Sequence, residues 1–161
     1  MTNQNPNSVS LVILALNEEE GLENTYNTYK KIFTNLEIDH EIFIVNDGSS
    51  DKTGEIAKNL EKKDPLVTVF HNTKPMGMGY GYKQGLQKAS KEYYMYTGAY
   101  DNLPSNHIIN FLNGMGQFDI VAGYITNAEI RPINRRILSS LFTLVMNLLT
   151  GLNLKYYNGM D

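Results

Sequence analysis

Ile44-Val45-Asn46-Asp47-Gly48-Ser49-Ser50-Asp51-Lys52-Thr53 joins the end of an apolar, β-branched run to a polar turn and then to a helix start. Val45 closes a strand-like run, Gly48 supplies a tight turn, and Asp51 fits a helix opening, where a short polar side chain accepts from free amide groups. A strand that passes through a polar loop into a helix is the first half of a β-α-β unit, so this stretch points to an α/β class. Asp47 stands at the strand's carboxyl end and caps nothing obvious. It is either a turn residue or a carboxylate held out for a ligand, for example to accept from the N–H of a uracil or guanine ring.

Outward from this stretch the pattern repeats. Strand-length runs occur at Val9–Leu14, Glu41–Val45, Leu66–Phe70, Tyr93–Tyr96 and Asp119–Ala122. Helical spacing fills Glu19–Leu36, Lys52–Lys63, Gly79–Ser90 and Ser105–Asn113, with Ser105 as a second candidate cap. Such alternation gives a mainly parallel sheet with helices on its faces and a ligand crevice at the carboxyl ends of the strands. The polar chemistry gathers at that edge. Asn17-Glu18 follows the first strand, Asn46 to Asp51 the second, His71 to Gly79 the third, and Thr97 to Asp101 the fourth.

The bulk numbers suit one globular unit. The 161 residues are 42% hydrophobic and 19% charged, with a formal net charge of -3 and no cysteine. Disulfides and a cysteine nucleophile are thereby excluded, and the charge gives no general attraction for nucleic acid. Residues 1–8 read as a disordered leader without a secretory signal, and 9–161 as a single domain. The expected location is cytoplasmic.

The local candidates each have a bland alternative. Glu18 can bond a base or ribose hydroxyl, or merely favour the positive end of the next helix. Gly77-Met78-Gly79-Tyr80-Gly81 has tyrosine at position 82, so it fails the dinucleotide fingerprint, yet Gly77 and Gly79 allow a close backbone approach to phosphate or sugar and Lys74 adds charge. Asp101 offers one carboxylate to a divalent cation bridging a diphosphate, or is a turn residue. Arg131, Arg135 and Arg136 precede a long apolar stretch with a weak polar stripe at Ser139, Thr143, Asn147 and Thr150. Residues 131–154 read as a membrane-interface helix holding an anionic head group, or as a core helix beside a solvated arginine cluster.

Taken in order, these motifs resemble family 2 glycosyltransferases, in particular the branch similar to dolichyl-phosphate mannosyltransferases and polyprenyl-phosphate sugar transferases. The likeness is carried by Leu11 to Glu19, with Leu14 where the family has proline, by Ile44 to Thr53, by Asn72 to Gly79 with Gly85, and by Arg136 to Leu152 with Asn158-Gly159. It implies a GT-A-type, Rossmann-like fold, truncated here at its C-terminal side. It further implies that Ala15, Leu16 and Glu18 line a nucleobase pocket, that Asp47 and Gly48 belong to the nucleotide-binding turn, that Lys74, Gly77 and Gly79 border ribose and diphosphate, and that Asp101 is both catalytic and the Mg2+ or Mn2+ ligand. The family's Asp-x-Asp reads Ala99-Tyr100-Asp101 here, which implies weakened or rearranged metal binding.

The implied activity is inverting transfer of a sugar from a UDP- or GDP-linked donor, a hexosyltransferase reaction of the cell envelope. A polyprenyl phosphate is the favoured acceptor because its oxygen needs no general base, and the protein would then sit peripherally on the inner face of the membrane. Arg131, Arg135 and Arg136 are the residues for the acceptor phosphate. The alternative is a non-catalytic or truncated nucleotide-sugar-binding relative. A nucleotidyltransferase is disfavoured, since no glycine-rich, arginine-containing loop follows the first strand.

Overall fold

The computed structural model describes residues 8–99, 103–121 and 132–153. The chain divides into two compact units, Met1–Phe118 and Asp119–Asp161.

The first unit holds the strands β1 (Ser8–Ala15), β2 (Asp39–Asp47), β3 (Val67–Asn72) and β4 (Tyr93–Gly98), with the helices α1 (Leu22–Asn35), α2 (Thr53–Lys63), α3 (Met78–Leu86) and α4 (Ser105–Leu112). The sheet order is β3-β2-β1-β4, and every pairing is parallel. The chain therefore moves one way across the sheet from β1 to β3 and then returns to place β4 on the far side of β1. With right-handed crossovers, that reversal puts α3 on the face opposite α1 and α2.

The packing agrees. Val9, Leu11 and Ile13 of β1 bury against Leu22, Tyr29 and Phe33 of α1, Ala57 and Leu60 of α2, and Ile108 and Leu112 of α4. Val12, Phe43 and Val45 face the other way with Leu14, Phe70 and Tyr94. The α1 residues Leu22, Thr25, Tyr26, Tyr29, Ile32 and Phe33 follow the three-to-four spacing that buries one helix face. Alternate residues of β1 serve both cores, as a strand covered on both sides requires.

On the second face, α3 lies unusually close to the sheet. A Cβ on Gly81 would meet Leu14 Cδ2 at 2.8 Å, and one on Gly85 would meet Tyr94 Oη at 2.7 Å and Val12 Cγ2 at 2.9 Å. These two glycines, four apart on one helix face, seat α3 on β1 and β4.

Some boundaries differ from the sequence expectation. The leader falls outside the described residues except for Ser8, which already opens β1. Pro104, not Ser105, occupies the N-cap of α4. The strand expected over Asp119–Ala122 does not form across 119–121, and Ala122 lies outside the described residues. Ile120 is 84% exposed, so this short apolar run has no packed face to hold it in a sheet.

The second unit contains α5 (Ile133–Thr150), which begins at Pro132 and ends on Gly151 in the left-handed conformation (φ 69°). None of its residues is buried. Ile137, Leu138, Leu148 and Leu149 are 64–76% exposed, while Ser139, Thr143 and Asn147 are half-buried. Met146 is half-buried beside them and Thr150 is exposed, so three of the four stripe residues are covered while most of the apolar residues lie exposed.

Candidate functional site

In an open parallel sheet, the loops that follow neighbouring strands diverge where the strand order reverses, and ligands bind in the gap. Here that point lies between β1 and β4. The loops after β1, β2 and β3 meet beside it and are joined by side-chain hydrogen bonds.

The β1 and β2 loops are stitched together. Asn17, held at a positive φ of 57°, donates its backbone N–H to Ser49 Oγ at 3.0 Å and accepts from Ser50 N at 2.9 Å. Glu18 N donates to Thr53 Oγ1, and Glu19 N to Asp51 Oδ2. Glu19 Oε2 accepts from Lys52 N in return. Asp51 Oδ1 also accepts from Thr53 N at 2.9 Å and Thr53 Oγ1 at 2.6 Å. Lys52, not Asp51, occupies the N-cap of α2; Asp51 stands one residue before it and accepts from Thr53 at the helix opening. Asn17, Glu18, Glu19, Glu20 and Asp51 line a cleft of about 240 Å³. Burial and the neighbouring Asp51 charge hold the Glu18 carboxyl above its ordinary pKa.

Asp47 has a role that its sequence position does not reveal. Its Oδ1 accepts from Asn72 Nδ2 at 2.8 Å and from Met76 N at 2.9 Å, and its Oδ2 from Gly77 N at 2.8 Å. The carboxylate fastens the loop after β3 to the end of β2 and sits on the amide edge that opens α3. Burial alone would raise its pKa, but the bonds from Met76, Asn72 and Gly77 override that and leave it below the ordinary value. Gly48, at φ 75°, lets this loop cross: a Cβ there would lie 2.4 Å from the Lys74 carbonyl carbon.

The other sequence candidates are distributed as follows. Ala15 is buried and packs into the larger core, so what it turns to the crevice is backbone. Leu16 is 43% exposed, and Lys74 lies exposed on the loop over Gly48. Gly77 has φ 89°, and a Cβ at Gly77 or Gly79 would meet nothing within 4 Å; both stand in open space. Arg135 and Arg136 occupy the exposed first turn of α5. Asp101 and Arg131 lie outside the described residues.

Ala99 is fully buried, donating its N–H to Leu14 O and accepting from Thr25 Oγ1 at 2.9 Å. Its side chain belongs to the apolar core, not to the crevice. Restoring the family's carboxylate by Ala99→Asp should therefore lower the melting temperature, by an amount typical of an unpaired buried charge, roughly 3 kcal/mol, without adding a cation ligand. Thermal melts with and without Mn2+ test this, and a metal-dependent rise in stability would contradict it.

A second expectation concerns acid. Asp47, Asp64 and Glu41 are all held below their ordinary values, Asp64 against its burial by Lys30, Leu66 N and Tyr26, and Glu41 against its burial by Ser10, Ser90 and Lys91. Depressed native pKa values contribute stability that is present above the unfolded-state values and is lost as pH falls through the native ones. Glu18 is raised and acts oppositely, its contribution being lost as pH rises through its native value. Asp51 is lowered as well, chiefly by its bond from Thr53, so four depressed carboxylates stand against one raised; melting temperature should fall steeply below about pH 4, and Asp47→Asn should flatten that fall.

Two solved structures are similar to this chain in fold. The mannosyltransferase from Pyrobaculum calidifontis in complex with GDP-Man and Mn2+ matches with TM-score 0.55 at 18% identity, over 65% of this chain and 31% of its own. S. aureus TarS in complex with UDP-GlcNAc matches with TM-score 0.53 at 18% identity, over 66% of this chain and 31% of its own. The described parallel sheet and its helices are thus a GT-A-type glycosyltransferase fold. A family model described as glycosyl transferase family 2 matches residues 10–159, and the chain belongs to that family.

Among curated relatives, a dolichol-phosphate mannosyltransferase from Pyrococcus furiosus is 29% identical over 136 residues, 81% of this chain and 38% of that protein. A bactoprenol glucosyl transferase of Shigella phage SfV is 35% identical over 82 residues, 51% of this chain and 27% of that protein. The chain spans well under half the length of either relative.

Proposed function

We propose that this chain carries the donor half of an inverting, hexosyltransferase-type sugar transfer from a nucleotide-diphosphate sugar. The observation that supports it best is the junction of the β1, β2 and β3 loops at the switch point, with Asp47 holding the Gly77 loop beside open space. In this reading Leu16 and Glu18 border the base, Asp47 and Gly48 form the turn beneath it, and Lys74, Gly77 and Gly79 border the ribose and diphosphate.

The reaction is a single displacement. The acceptor oxygen bonds to the anomeric carbon from one side as the bond from that carbon to the nucleoside diphosphate breaks on the other, which inverts the configuration. A polyprenyl phosphate arrives with an anionic oxygen, so no proton need be removed.

Among the described residues, no three potential ligand side chains are placed to hold a metal ion. In this reading Asp101, which lies outside the described residues, would hold the cation together with the donor diphosphate, since Mg2+ is commonly held by one or two carboxylates with phosphates and water. Mg2+ or Mn2+ bound there would offset charge on the departing diphosphate.

For the acceptor side, Arg135 and Arg136 are proposed to hold the lipid phosphate, with Arg131 as a third cation. The open apolar side of α5 is proposed to lie in the membrane interface, where such a face gains burial. No helix among the described residues is long and apolar enough to cross a membrane.

The test is incubation with labelled UDP- and GDP-sugars and vesicles containing polyprenyl phosphate. Labelled lipid is the expected product. Donor binding without transfer would favour the non-catalytic alternative.

A further inference from the structure

Asp47 holds Met76 and Gly77 with a donor, not an acceptor, facing its Oδ1 from Asn72. An amide side chain presents either group after a half-turn of its terminal bond, so something must fix which one points at the carboxylate. Gln84 of α3 does so. Gln84 Nε2 donates to Asn72 Oδ1 at 3.1 Å while Asn72 Nδ2 donates to Gln84 Oε1 at 3.2 Å. Asn72 Nδ2 also makes the 2.8 Å bond to Asp47. With Oδ1 engaged by Gln84, the Asn72 amide group faces Asp47, and a flip of Asn72 alone would break both bonds to Gln84 and set oxygen against carboxylate.

Gln84 is itself placed by the seat of α3. Gly81 and Gly85 allow the helix to approach Val12, Leu14 and Tyr94 with no room for a Cβ, and Gln84 lies between them on the turn facing β3. Both amides are half-buried, where a lost partner costs more than it does in water.

We infer that the Asn72–Gln84 amide pair is a positioning element that sets Asp47, and through it the Met76 and Gly77 amides, in the conformation that receives a nucleotide. The nucleotide clause rests on the donor-site reading above; the effect on the loop does not. Gln84 is thus a determinant of donor affinity that does not itself touch the donor.

Gln84→Met keeps the length of the side chain and removes both bonds. Gln87→Met, one turn along the same cleft wall, serves as the control. Amide hydrogen exchange on the ligand-free chain should show Met76 and Gly77 exchanging several-fold faster in Gln84→Met, with β1 and β2 unchanged. The dissociation constant for whichever of UDP and GDP the wild type binds should rise about three- to tenfold, the range of a lost hydrogen bond. Gln87→Met should move neither quantity.

Unchanged exchange at Met76 and Gly77 overturns the inference. So does acceleration spread through β1 and β2, which marks a general structural role, or an equal effect of Gln87→Met. If the wild type binds neither nucleotide, the donor-site reading fails, and the exchange experiment alone decides whether the pair positions the loop.

Discussion

Replacing Gly48 by alanine is expected to destabilise the first unit by on the order of 3 kcal/mol, one of the largest effects available to a single methyl group here. Two costs act together. The position has φ 75°, which a side chain disfavours, and the added Cβ would lie 2.4 Å from Lys74 C and 2.7 Å from Lys74 Cα and Pro75 N. The obstacle is backbone, so no side-chain rotation relieves it. The loop must lift, and lifting it separates Asp47 from Met76 and Gly77. Gly48→Ala should therefore lower the denaturation midpoint and abolish nucleotide binding together. A folded variant with wild-type stability would show that the Lys74 segment does not cross Gly48 as described.

Asp47→Ala is the second large effect and is separable from the first. It adds no clash, but it strips the acceptor from Met76 N, Gly77 N and Asn72 Nδ2. Hydrogen bonds to a charged group are worth about 1.5–3 kcal/mol each, so a net stability loss of about 2–3 kcal/mol is expected after the freed amides are rehydrated. Nucleotide affinity should fall by at least about tenfold. Equilibrium unfolding and titration calorimetry on the same preparation check both. Unchanged stability would contradict the latch, and unchanged affinity would remove Asp47 from the donor site. The Asp64 cluster offers a contrast: Tyr26 and Lys30 both bond Asp64 Oδ2, far from the crevice, and its disruption should cost stability without selective loss of affinity.

Much of this architecture was legible in the sequence because it is local. Four of the five expected strands form, and the polar residues after them gather at one edge because a parallel sheet puts every strand end there. The run from Ile44 to Thr53 could be read as strand, turn and helix because each step is set by neighbours. What was not legible depends on partners far along the chain. The donors around Asp47 come from 25 to 30 residues away, so its sequence setting suggested a turn residue or a free ligand carboxylate and gave no sign of a latch.

Similarly, Gly81 and Gly85 fall within the helical stretch expected over Gly79–Ser90, but their four-residue spacing reads as a seat only once the approach of α3 to Val12 and Leu14 explains it. Ala99 looked like a lost metal ligand, and its burial could not be known before β4 was paired with β1. Asp119–Ala122 shows the reverse failure, in which apolar letters alone suggested a strand that 119–121 do not form.

The central claim is that the junction of the β1, β2 and β3 loops is a nucleotide-sugar donor site, and calorimetric titration of the purified chain with UDP and with GDP, with and without Mn2+, tests it most directly. One of the two nucleotides should bind, Mn2+ should strengthen the binding, and Asp47→Ala should weaken it by at least about tenfold. A folded chain that takes up neither nucleotide under either condition would contradict the account.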